Sequence, residues 1–163
     1  MRPEALMGVQ FTFSVVLFGL VAKWYVSPLL NALPTPAALV PLFLVHALRY
    51  LPSSAFAPGQ VGAGVPMQAM RAIANGDLAS AVLALIAALF LYYGWRGAIG
   101  VAWLVNIVTG LDWINGGFVA VSNALVTYPL GGNWYIINYY VPVIGVIHVM
   151  IFARLLGERS RSA

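Results

Sequence analysis

Five apolar segments, separated by short breaks rich in glycine and proline, dominate the sequence. They cover residues 8–30, 37–55, 76–95, 98–119 and 135–156. A helix needs about 20 consecutive apolar residues to cross a bilayer, and each segment approaches or exceeds that length. Charged residues make up only 7% of the chain, whereas soluble domains contain about 25%. The sequence therefore predicts an all-α integral membrane protein, a single domain over residues 1–163 built as a bundle of five transmembrane helices.

The breaks between the segments are of two kinds. Residues 34–36 and 94–97 form short breaks whose prolines or glycines oppose helix continuation. The longer connections cover residues 52–75 and 120–134. Within the first, the run MQAMRAIA predicts a short amphipathic helix at the membrane interface near residues 66–74. The second carries no charged residue, and it is a candidate surface for a protein partner.

Arginines are distributed unevenly between the two ends of the predicted bundle. One end carries Arg96, Arg154, Arg159 and Arg161, and the other carries Arg2 and Arg71. Because the ends richer in Lys and Arg stay in the cytoplasm, we expect a cytoplasmic C-terminus. In a bacterium the protein would then cross the inner membrane, with the N-terminus and both long connections in the periplasm. Lys23, next to Trp24, is expected to snorkel to the cytoplasmic head groups.

The charge and the cysteine count exclude several other classes. A net charge of +4 arises mainly from arginines at the ends of the segments, and a nucleic-acid-binding protein would need a dense basic face instead. We therefore predict membrane lipids, and no nucleic acid, as partners. The chain contains no cysteine, which removes disulfides, thiolate metal ligands and cysteine nucleophiles.

Polar residues inside the apolar segments are the candidates for function. Arg49 lies three residues after His46 in the second segment, and an ionisable group at that depth costs about 2.5–3.5 kcal/mol without a partner. We predict that Arg49 faces Asp77 or Asp112. A rise of about 1.5 Å per residue brings the other polar groups into the periplasmic half, which predicts one polar pocket there. The ligand-binding candidates are Arg49, Asp77, Asn106, Asn115, Asn138 and Tyr139, and the catalytic candidates are His46 and Asp112.

Each candidate also has a structural interpretation. Arg49 with an aspartate forms an ion pair that fixes helix register. Asp77, which follows Gly76, caps the N-terminus of the third helix, and the asparagines form hydrogen bonds between helices. His148 is then a hydrogen-bonded core residue. The functional interpretation depends on convergence, because polar residues from the second, fourth and fifth segments reach a similar depth.

Short motifs carry a resemblance to a known family. They are His46-x-x-Arg49-Tyr50, Pro58-Gly59, Gly76-Asp77-Leu78, Trp103 with Asn106, Gly110-x-Asp112, Tyr139-x-x-Pro142 and His148. Over about residues 20–156 they resemble a family of small, uncharacterised bacterial integral membrane proteins, which implies no particular activity, cofactor or site. The dipeptide Trp24-Tyr25 followed by Pro34-x-Pro36 is faintly similar to the translocator protein family, whose five helices bind tetrapyrroles and sterols. Sterol-isomerase-like proteins with five helices are similar in architecture only.

Three functions follow as hypotheses. In the first, the polar pocket binds a lipid-like or amphiphilic molecule, and His46 with Asp112 transforms it by proton transfer if the protein is an enzyme. In the second, the chain is an accessory or structural subunit of a larger membrane complex and docks through residues 120–134. In the third, His46 and His148 ligate haem b, and Gly145 makes room for the ring.

Overall fold

The chain folds into five long helices. The computed structural model describes the backbone of residues 1–161 and the side chains of residues 1–158. The helices are α1 (Pro3–Asn31), α2 (Thr35–Phe56), α3 (Met67–Tyr92), α4 (Ala98–Ser122) and α5 (Asn133–Glu158). Each is long and apolar enough to cross a membrane, and no strand occurs among the described residues. The predicted all-α architecture with five such helices is confirmed.

Helix α3 lies at the centre of the bundle, and α1 lies at its edge. Small side chains on α3 allow close packing against α2 and α4, since Ala84 and Ala87 are fully buried and Ala88 nearly so. Helix α5 contacts α1, α2 and α4. Ser14 is the one buried residue that α1 has between Pro3 and Val21. The core therefore forms among α2 to α5, and α1 contributes little to it.

The third helix begins earlier than the sequence analysis predicts. Residues 66–74 do not form a separate interfacial helix, because α3 runs without interruption from Met67 through Asn75 and Gly76. Its first turns bury Ala69 and Met70 in a small apolar cluster with Leu125, and this burial outweighs the low helix propensity of the Asn-Gly pair. Asp77 is consequently an interior residue of α3, and the N-cap interpretation is wrong.

Pro28 and Pro142 coincide with turns that are not α-helical, whereas Pro41 lies within the regular α-helical part of α2. The segments Ala22–Val26 and Ile136–Tyr140 are π-helical, and each precedes a proline, Pro28 or Pro142. Proline lacks an N–H and its ring pushes on the carbonyl four residues earlier. In both cases that carbonyl belongs to the π-helical turn. The local geometry of α1 and α5 thus follows from single prolines.

Proline also accompanies the change of geometry in α2. The helix is α-helical to His46 and becomes a 3₁₀-helix over Ala47–Phe56, a segment that contains Pro52. A 3₁₀-helix has three residues per turn, and its buried residues Arg49, Pro52 and Ala55 are spaced by three. This register directs Arg49 toward the core.

The two long connections pack against each other at one end of the bundle. The N–H of Gly62 donates a hydrogen bond to the carbonyl of Pro129 (2.8 Å). Leu125 and Leu130 are buried, and a side chain at Gly131 would collide with the backbone of Gln60. Leu125 and Leu130 therefore attach residues 120–134 to the chain, and more than half of these residues stay exposed.

The packing of α3 makes a testable prediction. Replacing Ala84 by Leu should lower stability by about 1–3 kcal/mol, because the added atoms have no free volume between α2 and α4. Val82 on the same helix is 53% exposed, so Val82→Leu is the matched control and should leave stability nearly unchanged. Thermal unfolding in detergent measures both, and equal melting temperatures for the two variants would contradict this packing.

Candidate functional site

Arg49 is the centre of a buried ionic network. Its Nε donates to Asp77 Oδ1 (2.8 Å), its Nη1 to the carbonyl of Thr109 (2.8 Å) and its Nη2 to Asp112 Oδ2 (2.6 Å). Nη2 also lies 2.6 Å from Asp77 Oδ1. Ser80 donates a further hydrogen bond to Asp112 Oδ2 (2.8 Å). The predicted ion pair of Arg49 is confirmed, and it includes both aspartates rather than one.

The network lies near the middle of α3 and α4. At about 1.5 Å per residue, Asp77 is about 15 Å from the start of α3, and Asp112 is at a similar distance from the end of α4. Asp112 lies just past the middle of α4, in the half of the helix that ends at Ser122. Gly76 permits the close approach of the two helices, because a side chain at this position would collide with the carboxylate of Asp112.

The guanidinium has little capacity left for a ligand. The side chain of Arg49 is only 3% exposed, and each of its three nitrogens donates to an acceptor of the protein. Asp77 and Asp112 are partly exposed, at 15% and 25% of the side chain. Removing one member of such a network leaves a buried charge without a partner, which costs about 3–5 kcal/mol. The arrangement thus links α2, α3 and α4 in a fixed register.

A second polar group lies close to this network. The ring of His46 contacts the ring of His148 edge to face, with centroids 4.3 Å apart. His148 Nδ1–H donates to Asn106 Oδ1 (2.8 Å). Both ring nitrogens of His46 and the Nε2 of His148 have no hydrogen-bond partner among the described residues, although both side chains are buried. Asn106 and His148 thus form an interhelical hydrogen bond, as their structural interpretation expects.

His46, His148 and Asp112 are not arranged as the catalytic and haem hypotheses require. His46 and Asp112 share no hydrogen bond within residues 1–158, because Asp112 is bound to Arg49 and Ser80. The rings of His46 and His148 are in direct contact, so no haem plane fits between them. The space beside Gly145 holds the indole of Trp113. The residues present do not fit a haem ligated by this histidine pair.

The remaining predicted site residues do not join the network. Asn138 is buried, and its Nδ2 donates to the carbonyl of Trp134 one turn earlier (2.8 Å), within the π-helical segment of α5. Tyr139 is 48% exposed and stacks on Tyr135, and Asn115 is exposed. Tyr140, which follows Tyr139 and is not among the candidates, donates to the carbonyl of Val45 (2.9 Å) and links α5 to α2.

A cavity of about 500 Å³ lies between α1 and α5, and no residue of the Arg49 network lines it. Its polar lining residues are Lys23, Ser27, Asn31, Thr35, Arg154 and Glu158. They belong to the end of the bundle where α1 and α5 finish and α2 begins. The apolar lining residues include Val15, Leu42, Val146 and Met150, which lie deeper along the same helices. The cavity is thus polar at one end and apolar along its length.

The cavity is not among the predicted sites, although the sequence contains a signal for it. Lys23, Ser27 and Asn31 are spaced by four, and so are Arg154 and Glu158, so each set forms a polar stripe on one helical face. The snorkelling predicted for Lys23 accounts for one residue of this stripe and leaves Ser27 and Asn31 without a role. The tertiary pairing of α1 with α5 is not readable from either stripe alone.

Hydrogen bonds attach α1 to α5 near each end of α1. At one end, Trp134 Nε1 donates to Gln10 Oε1 (2.9 Å). At the other, Arg154 donates to the carbonyls of Leu30 and Leu33 and to Asn31 Oδ1 (3.3 Å), and Thr35 donates to Glu158. An apolar cavity of about 230 Å³ adjoins the first and shares Ala22, Leu30, Leu42, Val146 and Met150 with it. Both cavities lie between these attachments, along the part of α1 that faces α5.

The family described as Domain of unknown function (DUF8737) matches residues 6–156. The chain belongs to this family. No curated protein and no solved structure matches the chain. The expected membership in an uncharacterised family is confirmed, while the similarity to the translocator protein family stays a prediction.

The Arg49 network predicts the effect of a conservative change. Arg49→Lys should lower stability by about 3 kcal/mol, because one ammonium cannot reproduce a fork that reaches two carboxylates and a carbonyl. Arg96→Lys is the control, since Arg96 is exposed between α3 and α4. Thermal unfolding in detergent gives both values. If Arg49→Lys melts like the native protein, the network does not hold the helices together.

The unpaired imidazole of His46 predicts an increase in stability on its removal. His46→Leu eliminates two buried nitrogens without partners, which should raise stability by about 1–3 kcal/mol. His148→Leu should have the opposite effect, because it leaves the buried Oδ1 of Asn106 without a donor. The same melting measurement compares the two variants. A loss of stability in His46→Leu would show that its nitrogens do have partners.

Proposed function

We propose that this protein spans the bacterial inner membrane five times and binds a lipid-like or amphiphilic small molecule in the cavity between α1 and α5. The membrane location is supported by five helices of sufficient length and apolarity. Many large apolar side chains also face outward, among them Phe13, Leu104 and Phe118. A soluble protein rarely exposes so much contiguous apolar surface, whereas lipid chains solvate it.

The orientation is supported by the positions of the arginines. Arg96 and Arg154 lie at the end where α1 finishes, together with the C-terminal arginines of the sequence, and Arg2 and Arg71 lie at the other end. Under the positive-inside rule, the C-terminus is cytoplasmic. The polar end of the cavity then lies in the cytoplasmic half of the membrane, and the connections 57–66 and 123–132 lie on the periplasmic side.

The observation that carries the proposal is the gradient of polarity along the cavity. Ligand sites typically have volumes of about 300–1,000 Å³ and apolar walls with a few polar groups that orient the ligand. The cavity of about 500 Å³ has this size, and its polar groups gather at one end. A molecule with a polar head and an apolar chain matches this gradient.

The position of the site differs from the one that the sequence favoured. The sequence predicts that the polar set around Arg49 forms the pocket, but each nitrogen of the Arg49 guanidinium donates to an acceptor of its own chain. We assign that set a structural role in joining α2, α3 and α4. Catalysis by His46 and Asp112 stays a prediction, as does docking of a protein partner on residues 120–134.

A pair of glycine variants tests the proposal. Gly19 lines the cavity and Gly8 does not, yet both lie on α1, and a side chain at either position would meet no atom within 4 Å. Gly19→Phe should therefore fill the cavity without distorting the helix, whereas Gly8→Phe should point into lipid. Native mass spectrometry of the protein in mild detergent detects a retained amphiphile.

We expect the native protein and Gly8→Phe to carry the amphiphile and Gly19→Phe to lose it. Equal melting temperatures of the two variants would establish that the comparison is matched. If native protein exposed to lipid extract retains no amphiphile, or if Gly19→Phe retains it as well as Gly8→Phe does, the cavity is not the binding site.

A further inference from the structure

We infer that the amphiphile bound between α1 and α5 has an anionic head group, a carboxylate or a phosphate, and that Lys23 binds it. This inference rests on the proposed function and adds the chemical class of the ligand. Lys23 is the single lysine of the sequence and it lines the cavity. Its own chain offers it no hydrogen bond or ion pair anywhere in residues 1–158.

The other charged residues of the polar end already have protein partners. Arg154 Nη2 donates to the carbonyls of Leu30 and Leu33, and its Nη1 donates to Asn31 Oδ1. Glu158 accepts a hydrogen bond from Thr35. Arg154 and Glu158 therefore attach α5 to the end of α1 and the start of α2. Lys23 is left as the charged residue of the cavity wall that has no hydrogen bond or ion pair within residues 1–158.

The π-helical turn places this ammonium on the cavity wall. Lys23 is the second residue of the turn Ala22–Val26, which precedes Pro28. Ser27 and Asn31 follow it along the same wall. π-helical turns of this kind occur often at functional sites. Here the turn brings a cation about 12 Å inward from the end of α1 at Asn31, at a rise of about 1.5 Å per residue.

An ammonium beside an apolar cavity favours an anion over a neutral head group. Hydrogen bonds between charged groups are about twice as strong as neutral ones, and the low polarity of the walls weakens the competition from water. A neutral hydroxyl head would gain only the hydrogen bonds of groups such as Ser27. The carboxylate of a fatty acid and the phosphate of a phospholipid share the required charge.

Matched probes test the charge of the head group. A long-chain fatty acid and the fatty alcohol of the same chain length are titrated into delipidated protein in a neutral detergent, and the bound fraction is counted by native mass spectrometry. The variants are Lys23→Gln, Lys23→Arg and the control Arg96→Gln, which removes a cation at the same end of the bundle but outside the cavity.

We expect the native protein to bind the fatty acid at least about tenfold more tightly than the alcohol, as one charge-assisted hydrogen bond implies. Lys23→Gln should reduce the affinity for the acid to that for the alcohol, while Lys23→Arg and Arg96→Gln should keep the preference. Equal affinities in the native protein, or a preference that survives Lys23→Gln, would overturn the inference. Binding of neither probe would instead refute the proposed cavity itself.

The source of the anionic ligand is distinguished in the same assay. Phosphatidylglycerol and phosphatidylcholine are added as competitors of the fatty acid. Displacement by phosphatidylglycerol alone identifies the phosphate of an anionic membrane lipid as the head group that Lys23 binds. Displacement by neither lipid identifies a free single-chain acid. Equal displacement by both would show that net head-group charge is not recognised, and it would count against the inference.

Discussion

The guanidinium of Arg49 is the interaction on which the arrangement of α2, α3 and α4 depends. It is buried, and it binds Asp77, Asp112 and the carbonyl of Thr109 together. A charge at this depth is tolerated only when every donor has an acceptor. The requirement fixes the rotation of α2 and the relative heights of α3 and α4, and Gly76 permits the close approach that the shared guanidinium needs.

Prolines set the local geometry at both polar sites. Pro52 accompanies the 3₁₀-helix that directs Arg49 inward, and Pro28 follows the π-helical turn that carries Lys23. In each case the missing N–H prevents a regular α-helical hydrogen bond, and the chain accommodates this by tightening the last turns of α2 or by widening one turn of α1. A tightened or widened turn changes the face on which the neighbouring side chains lie. A single residue type therefore shapes both the closed network and the open cavity.

The sequence predicts the five apolar helices and the pairing of Arg49 with aspartate, because both follow from the cost of placing polar groups in an apolar medium. It does not predict that Asn115 and Tyr139 face outward. Tyr139 lies in the π-helical turn Ile136–Tyr140, which shifts the faces of α5, and the outward face of Asn115 is set by how α4 packs against α3. The sequence does not predict the cavity for another reason. The cavity depends on the contact of α1 with α5, and these two helices are distant in sequence.

The two polar sites differ in how completely their groups are satisfied, and this difference separates stability from binding. Around Arg49 the hydrogen bonds close on the protein itself, so a ligand would have to displace charge-assisted bonds at a cost of several kcal/mol. Along α1 the attachments to α5 lie near the ends of the helix, and Lys23 between them has no partner in the described part of the chain. A ligand there gains interactions without breaking any. The bundle of α2 to α5 thus supplies one wall of the cavity, and α1 supplies the wall that carries Lys23.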